Sequence, residues 1–327
     1  MFTQILKVLW LTLFFTLPQI ALANSSSLIL FDHPLTGKIY SVKAHEFISL
    51  AQFKQELINS PVILLGETHD NPIHHRQQLD AIQWLIKANR KPSLAFEMLD
   101  NNQSRNIQTL LKDTTTPSSP QIKKLLSWEK RGWKHWQDYY PLFHIAIKHQ
   151  LNILPANYSL DIIRGVAKKG QQAIPKQLHT MSKLQLSDSA TKLQQQDIIE
   201  SHCNMLPKSM IHNMALAQQV RDKKMALTLS STQTIKDVVL IAGVGHSRTD
   251  IGAPFYLRQL KPQVQLISIA MMEVSQEKKK AKDYVDIEQQ KIASHDYLWF
   301  TARVNREDPC QQLRKKFSKH KKPAPPL

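Results

Sequence analysis

The chain has 327 residues, 42% of them hydrophobic and 21% charged, with only two cysteines. That is enough apolar material for one large or two modest domains, which excludes a disordered chain and a small disulfide-stapled scaffold. The net charge of +17 is uneven, concentrated at 277–282 and 314–327. It lacks the aromatic interleaving, glycine loop or finger spacing of a nucleic-acid reader, so nucleic acid is not an expected partner.

In chain order, Lys7 precedes an apolar stretch over 8–23 that contains Pro18 and ends Ala21-Leu22-Ala23. The stretch is shorter than the ~20 residues of a spanning helix and reads as a signal peptide, 1–23, cut after Ala23. The first cysteine is Cys203, so no lipobox follows the leader and no lipid anchor is expected. Export implies a periplasmic or secreted protein, and in an oxidising space Cys203 and Cys310 are expected to be bridged.

Residues 27–42 read as a hairpin around Pro34-Leu35-Thr36-Gly37, followed by helical patterning over 45–58. Short apolar runs at 61–66, 93–98, 152–157, 238–243 and 264–270 then alternate with helical stretches. Runs without polar alternation predict a parallel sheet buried on both faces, hence an α/β class with three layers. The domain is expected to span 24–310 with a mostly helical insert over 158–232; 113–120 is a loop by composition. The tail, 311–327, is expected to be solvated and disordered or drawn to anionic lipid, at about 1 kcal/mol per basic residue near the surface.

One helix can be placed closely. Asn71 is a good N-cap and Pro72 suits the first helical position, which predicts a helix from there to about Lys91. On a 3.6-residue period His75 falls near the centre of the face that holds Leu79, Ile82, Leu85 and Ile86, with His74 on its flank. The positive end of this helix disfavours imidazolium and keeps a nearby histidine neutral.

Ligands of open α/β sheets bind outside the carboxyl ends of the strands. Three strand candidates end in titratable groups: Glu67 and His69 after the first, Glu97 in the second, His246 and Arg248 after the fourth. A carboxylate buried alone costs several kcal/mol, so three such ends at one edge suggest one shared site. The segment 132–149 adds Trp133, Trp136, Tyr139, Tyr140, Phe143 and three histidines. Adjacent tyrosines cannot both face inward on one helix, so Tyr139 or Tyr140 points at a cleft or solvent. A phenolate is an axial ligand of ferric haem, and flat aromatic side chains suit a porphyrin face.

The strings LLGETHDNPIHHRQQ, LAFEML, WQDYYPLFHIA, LPANYS, HCNMLP, AQQVRDKKMA, AGVGHSRTDIGAPFYL and YLWFTARVNREDPC resemble, in order, the ChaN family of haem-binding proteins, a branch of the Tiki/erythromycin-esterase superfamily. The resemblance implies a three-layer α/β fold, a place in the bacterial envelope and a link to haem acquisition. It implies one cleft holding Glu67, His69, His74, His75, Glu97, His246 and Arg248, a tyrosine of DYYPL as haem ligand, and the pair Cys203–Cys310. The best-known members carry a lipid-anchor cysteine that this chain lacks.

The leading expectation is an exported haem-binding protein, with Tyr139 or Tyr140 as axial ligand, a histidine nearby, and Arg76, Arg164 or Arg248 for the propionates. A homodimer would shield such a flat cofactor. The alternative is a hydrolase in which Glu67, Glu97, His69 and His246 supply acid/base groups, or Glu67, His69 and His246 hold a divalent metal. A third expectation, compatible with the first, is a tail that tethers the protein to anionic membrane.

Overall fold

The computed structural model describes residues 27–113, 117–181, 184–231, 237–285, 293–308, 310–311 and 313–314. The leader and most of the basic tail lie outside the described residues. In chain order the elements are β1 (Leu28–Ile29), β2 (Ile39–Ser41), β3 (Glu46–Ile48), α1 (Leu50–Asn59), β4 (Val62–Glu67), α2 (Pro72–Lys87), β5 (Ser93–Asp100), α3 (Ser104–Lys112), α4 (Ser119–Leu125) and α5 (Trp136–Lys148). They continue as β6 (Ile153–Asn157), α6 (Leu160–Lys169), α7 (Asp188–Ser201), α8 (Lys208–Ser230), β7 (Val238–Gly243), α9 (Ala253–Leu260), β8 (Leu266–Glu273), β9 (Tyr297–Thr301) and β10 (Arg303–Val304). Among the described residues no helix is long and apolar enough to cross a membrane.

Among the described residues eight strands form the main sheet in the order β3-β2-β9-β8-β4-β7-β5-β6. The pairs from β9 through β6 are parallel, and β2 runs antiparallel to both β9 and β3. All six residues of β4 are buried. Alternate side chains serve opposite layers: Ile63 and Leu65 pack with Phe53, Ile82, Leu85 and Phe143, whereas Val62 and Leu64 pack with Val220, Met225, Leu229 and Leu257. Each strand therefore needs apolar residues at every position, which produces the unalternated runs of the sequence.

Residues 27–60 depart from the sequence reading. Residues 27–42 do not form a hairpin: β1 pairs with β10, while β2 pairs with β9 and β3. The turn itself is present, with Gly37 at φ +81°, but its arms join partners from the far end of the chain. The stretch 45–58 is not one helix, because Glu46–Ile48 is the edge strand β3. Helix α1 begins at Leu50, where Ser49 accepts the Gln52 N–H and the Gln52 side chain accepts the Ser49 N–H, a reciprocal cap that sets the start.

Helix α2 begins as expected: Asn71 Oδ1 accepts the Ile73 N–H at 2.9 Å. It stops at Lys87, short of Lys91, because Asn89 takes a left-handed φ of +61° and ends the ladder. The loop expected over 113–120 gives way to α4 at Ser119, where Ser118 and Gln121 form another reciprocal cap. The insert is helical through α6, α7 and α8, and Cys203–Cys310 bridges its α7–α8 turn to the C-terminal segment.

Candidate functional site

Strand β4 lies between β7 and β8, and β7 lies between β4 and β5. Glu67 ends β4 opposite Gly243 of β7. One strand further, the β5–β6 register shifts between Phe96 and Asp100, an irregularity that spans Glu97. Such bulges re-aim side chains at sheet rims. Here the Glu97 carbonyl accepts from Asn157 Nδ2 at 3.0 Å, and Glu97 Oε2 accepts the Gly243 N–H at 2.8 Å. The two carboxylates thus converge above β7. A Cβ on Gly243 would sit 3.0 Å from His69 Nε2 and 3.5 Å from Glu97 Oε2, so a glycine there leaves the space the imidazole occupies.

Each carboxylate is buried and neutralised by imidazole. His75 Nδ1 lies 2.9 Å from Glu67 Oε2, and His75 Nε2 donates to the His69 carbonyl at 3.1 Å. Both ring nitrogens face oxygen acceptors, so the ring is an imidazolium; burial opposes its charge, but Glu67 outweighs burial and holds the pKa at about 9. His246 is clamped in the same way, with Nδ1 2.6 Å from Asp222 Oδ1 and Nε2 3.3 Å from Glu97 Oε1. Burial again opposes the charge, and Glu97 and Asp222 overcome it to give a pKa of about 10. Burial raises Glu67 and Glu97, yet His75 and His246 hold them well below the usual carboxylate range. Asp222 shares the proton of His246 and is pushed up by burial to about 6.

His69 lies at the mouth. Its Nδ1 is 2.9 Å from Glu67 Oε1 and its Nε2 is 3.9 Å from Glu97 Oε2, with 42% of the side chain exposed. Burial lowers its pKa, but the hydrogen bond to Glu67 and the two carboxylates raise it overall. Trp133 covers it edge-on at 5.1 Å between ring centroids. The loop carrying Trp133 is tied down by Arg131, which donates to the Asp100 carboxylate and, at 2.7 Å, to the Met98 carbonyl. Chemically, the rim can exchange a proton with solvent at His69 while two charge-balanced pairs behind it stay fixed.

The structure therefore brings together Glu67, His69, His75, Glu97 and His246 from the sequence-expected set. It separates the others. His74 is fully buried, accepts the Thr68 N–H at 2.8 Å on Nδ1 and meets Thr301 Oγ1 at 2.8 Å; burial keeps it neutral, with a pKa of about 3. Arg248 turns to Asp250 at 2.7 Å and Asp197 at 3.8 Å, and Arg164 is exposed on α6. Tyr139 is buried and donates to Glu67; burial and then Glu67 push its pKa well above 10, which makes it a neutral donor and not an open phenolate. Tyr140 is only partly buried, with its hydroxyl 3.4 Å from His144 Nδ1.

The metal grouping of Glu67, His69 and His246 does not form. His246 offers no free ring nitrogen, Glu67 is taken by Tyr139, His69 and His75, and among the described residues no group of three or more His, Cys, Asp or Glu is arranged for a metal ion. Sequence reasoning missed Asp222, although a signal existed: Ala215, Asp222, Met225, Ala226 and Leu229 are all buried on one stripe of α8. An aspartate on an apolar stripe requires a partner. Arg131, Asp100 and Gln218, whose Nε2 lies 3.3 Å from His246 Nδ1, carried no such local mark.

A family model described as haem-binding uptake, Tiki superfamily, ChaN matches residues 53–257, a span that contains every rim residue. Among solved structures, ChaN of Campylobacter jejuni, described as showing cofacial haem binding, superposes with a TM-score of 0.64 at 23% identity, covering 80% of this chain and 95% of that one. This likeness establishes the fold. An erythromycin esterase, EreC, in its open conformation follows at a TM-score of 0.42 and 10% identity, covering 82% and 98%, too low to carry an argument about activity. No curated protein matches the chain.

Proposed function

The chain belongs to the haem-binding uptake family, ChaN branch of the Tiki superfamily, and we propose that it binds haem in the bacterial envelope and serves haem or iron handling. The family match over 53–257 carries this reading. The donor chemistry supports it: the 132–149 segment supplies a partly exposed phenol paired with an imidazole, Tyr140 and His144, on a scaffold rich in aromatic side chains. A phenolate oxygen is a hard ligand for ferric iron, which is the chemistry haem would bring. Titration of the purified protein with hemin is expected to give a saturable Soret shift, and its absence would refute the proposal. Export by cleavage of 1–23, attraction of the 311–327 tail to anionic lipid and shielding of haem by a second copy belong to the same proposal. The apolar leader and the cationic tail composition support the first two.

A second reading is supported by one observation, the half-exposed His69 set between two carboxylates. In it, His69 is the general acid/base of a hydrolase, and Glu67 and Glu97 hold its charge and orientation. Turnover of an ester or peptide panel that disappears in His69→Asn, with hemin binding intact, would establish that second activity.

A further inference from the structure

The helical insert encloses a cavity of about 270 Å³ between α7, α8 and the segment 171–186. Leu178, Leu186, Ala215 and Val220 are buried and form its apolar floor. Gln171, Gln195 and Gln219 place amides around it, and His179 and His212 stand exposed at its border. The volume lies just under the usual range for ligand pockets, so it suits a small molecule and not a macrocycle.

Helix α8 divides this cavity from the rim. Gln218 and Asp222, one turn apart, both meet His246, at 3.3 Å and 2.6 Å. The next residue of each, Gln219 and Lys223, lies about 100° further round the helix and lines the cavity. Lys223 and its neighbour Lys224 are both partly buried, and burial lowers the pKa of both. Their partners differ. Lys224 Nζ donates to Thr228 Oγ1 at 3.2 Å and lies over the Tyr158 ring. Among the described residues Lys223 Nζ meets only the Met181 carbonyl, at a long 3.4 Å, and the Tyr256 ring, 5.3 Å from its centroid.

A partly buried ammonium without a carboxylate favours an anion from solution. Asp188, the acidic residue of the described lining, stands exposed in the first turn of α7, where the positive helix end already balances it. The described lining holds no arginine, the side chain that matches phosphate by a two-pronged contact. One ammonium answers one unit of negative charge, and an apolar floor calls for hydrocarbon, which free phosphate lacks. We propose that this cavity binds a small organic carboxylate, at a site separate from that of haem. Lys223 pairs with the carboxylate, the Gln171 and Gln195 amides hydrogen-bond its other polar groups, and the floor takes its carbon chain.

The test titrates the full chain by calorimetry with acetate, succinate, malate and citrate, with the neutral amides of the same acids, and with inorganic phosphate. Saturable binding of at least one carboxylate, and of none of the amides, is expected. Lys223→Met is expected to weaken it by at least about tenfold, whereas Lys223→Arg, which keeps the charge, and Lys224→Met retain it. Hemin titration is expected to be the same for all of these variants, with equal thermal midpoints as the control for folding. A readout on the wild-type protein needs no variant: added carboxylate is expected to slow acylation of Lys223, and not of Lys224, in peptide mass spectrometry. Absence of carboxylate binding, binding of phosphate alone, a Lys223→Met variant that binds as wild type, or unchanged labelling of Lys223 at saturation would each overturn the proposal and leave the haem reading standing.

Discussion

The two ends of α5 differ in a way that bears on function. At its first turn Tyr139 joins a rim whose charges are paired with one another: Glu67 with His75, His69 and Tyr139; Glu97 with His246 and the Gly243 N–H. At its last turns His144 and Lys148 border an open groove of about 390 Å³ between α2 and α5, lined also by Leu79, Ile86 and Lys87. The rim is chemically rich and mostly closed, with His69 half-exposed at its mouth; the groove is chemically sparse and open. Density of titratable residues in a sequence therefore marks where charge must be balanced, which need not be where a large ligand lands.

The comparison breaks most sharply at Glu67. Glu67→Ala would leave the His75 imidazolium and the Tyr139 hydroxyl buried without their acceptor, and a loss of about 3–5 kcal/mol is expected in urea denaturation. A loss below 1 kcal/mol would mean that the rim is not a coupled network. Next in size is the bridge between insert and C-terminal segment. Cys203 and Cys310 are separated by 107 residues, and Cys203→Ser is expected to cost about 2–4 kcal/mol through the entropy of the closed loop. Gly66→Ala follows, at about 1–3 kcal/mol, because its Cβ would lie 2.0 Å from Ser247 Oγ and 3.0 Å from the Val244 Cα. The clash displaces the turn that carries His246, so that variant is also expected to weaken any chemistry at His69.

pH sharpens the same contrast. His75 and His246 are raised to about 9 and about 10 from 6.5, so their stabilisation is complete below 6.5 and is lost as pH rises through 9 and 10. His74 and His295 are lowered to about 3 and about 4, chiefly by burial; the unfolded chain takes up their protons near 6.5 and the folded chain does not, so stability falls as pH drops below that value. Asp222, raised to about 6 from 3.8, softens the acid limb. Denaturation midpoints are expected to peak near neutrality and to fall on both sides, whereas a profile flat to pH 10 would contradict the charged state of the rim histidines. The smallest effect belongs to the groove: Lys87→Glu/Lys148→Glu is expected to change stability by no more than about 0.5 kcal/mol, since both side chains are exposed.

The parallel strands were legible because a strand buried on both faces must be apolar at every position, and β4 through β8 obey that rule locally. The start of α2 was legible for a comparable reason, since Asn71 and Pro72 act within one turn. The antiparallel β2–β9 pair was not, because it joins Ile39 to Trp299 and Ser41 to Tyr297 across most of the chain, and β3, which pairs with nearby β2, is a three-residue strand that leaves little local pattern. At the site, Glu67, Glu97, His69 and His246 were recognisable as unusual strand endings. Asp222 was hidden inside a helix whose polar character depends on what it packs against.

Local chemistry in the sequence thus determined the class of fold, the rim on which carboxylates and imidazoles gather, and the family likeness that directs attention to haem. The tertiary structure alone decided that His75 is charged and His74 neutral, that Tyr139 is bound to Glu67 while Tyr140 stands apart, and that the groove lies elsewhere. The physical reason is that protonation and availability depend on burial and on partners drawn from distant segments, and residue type and spacing fix neither.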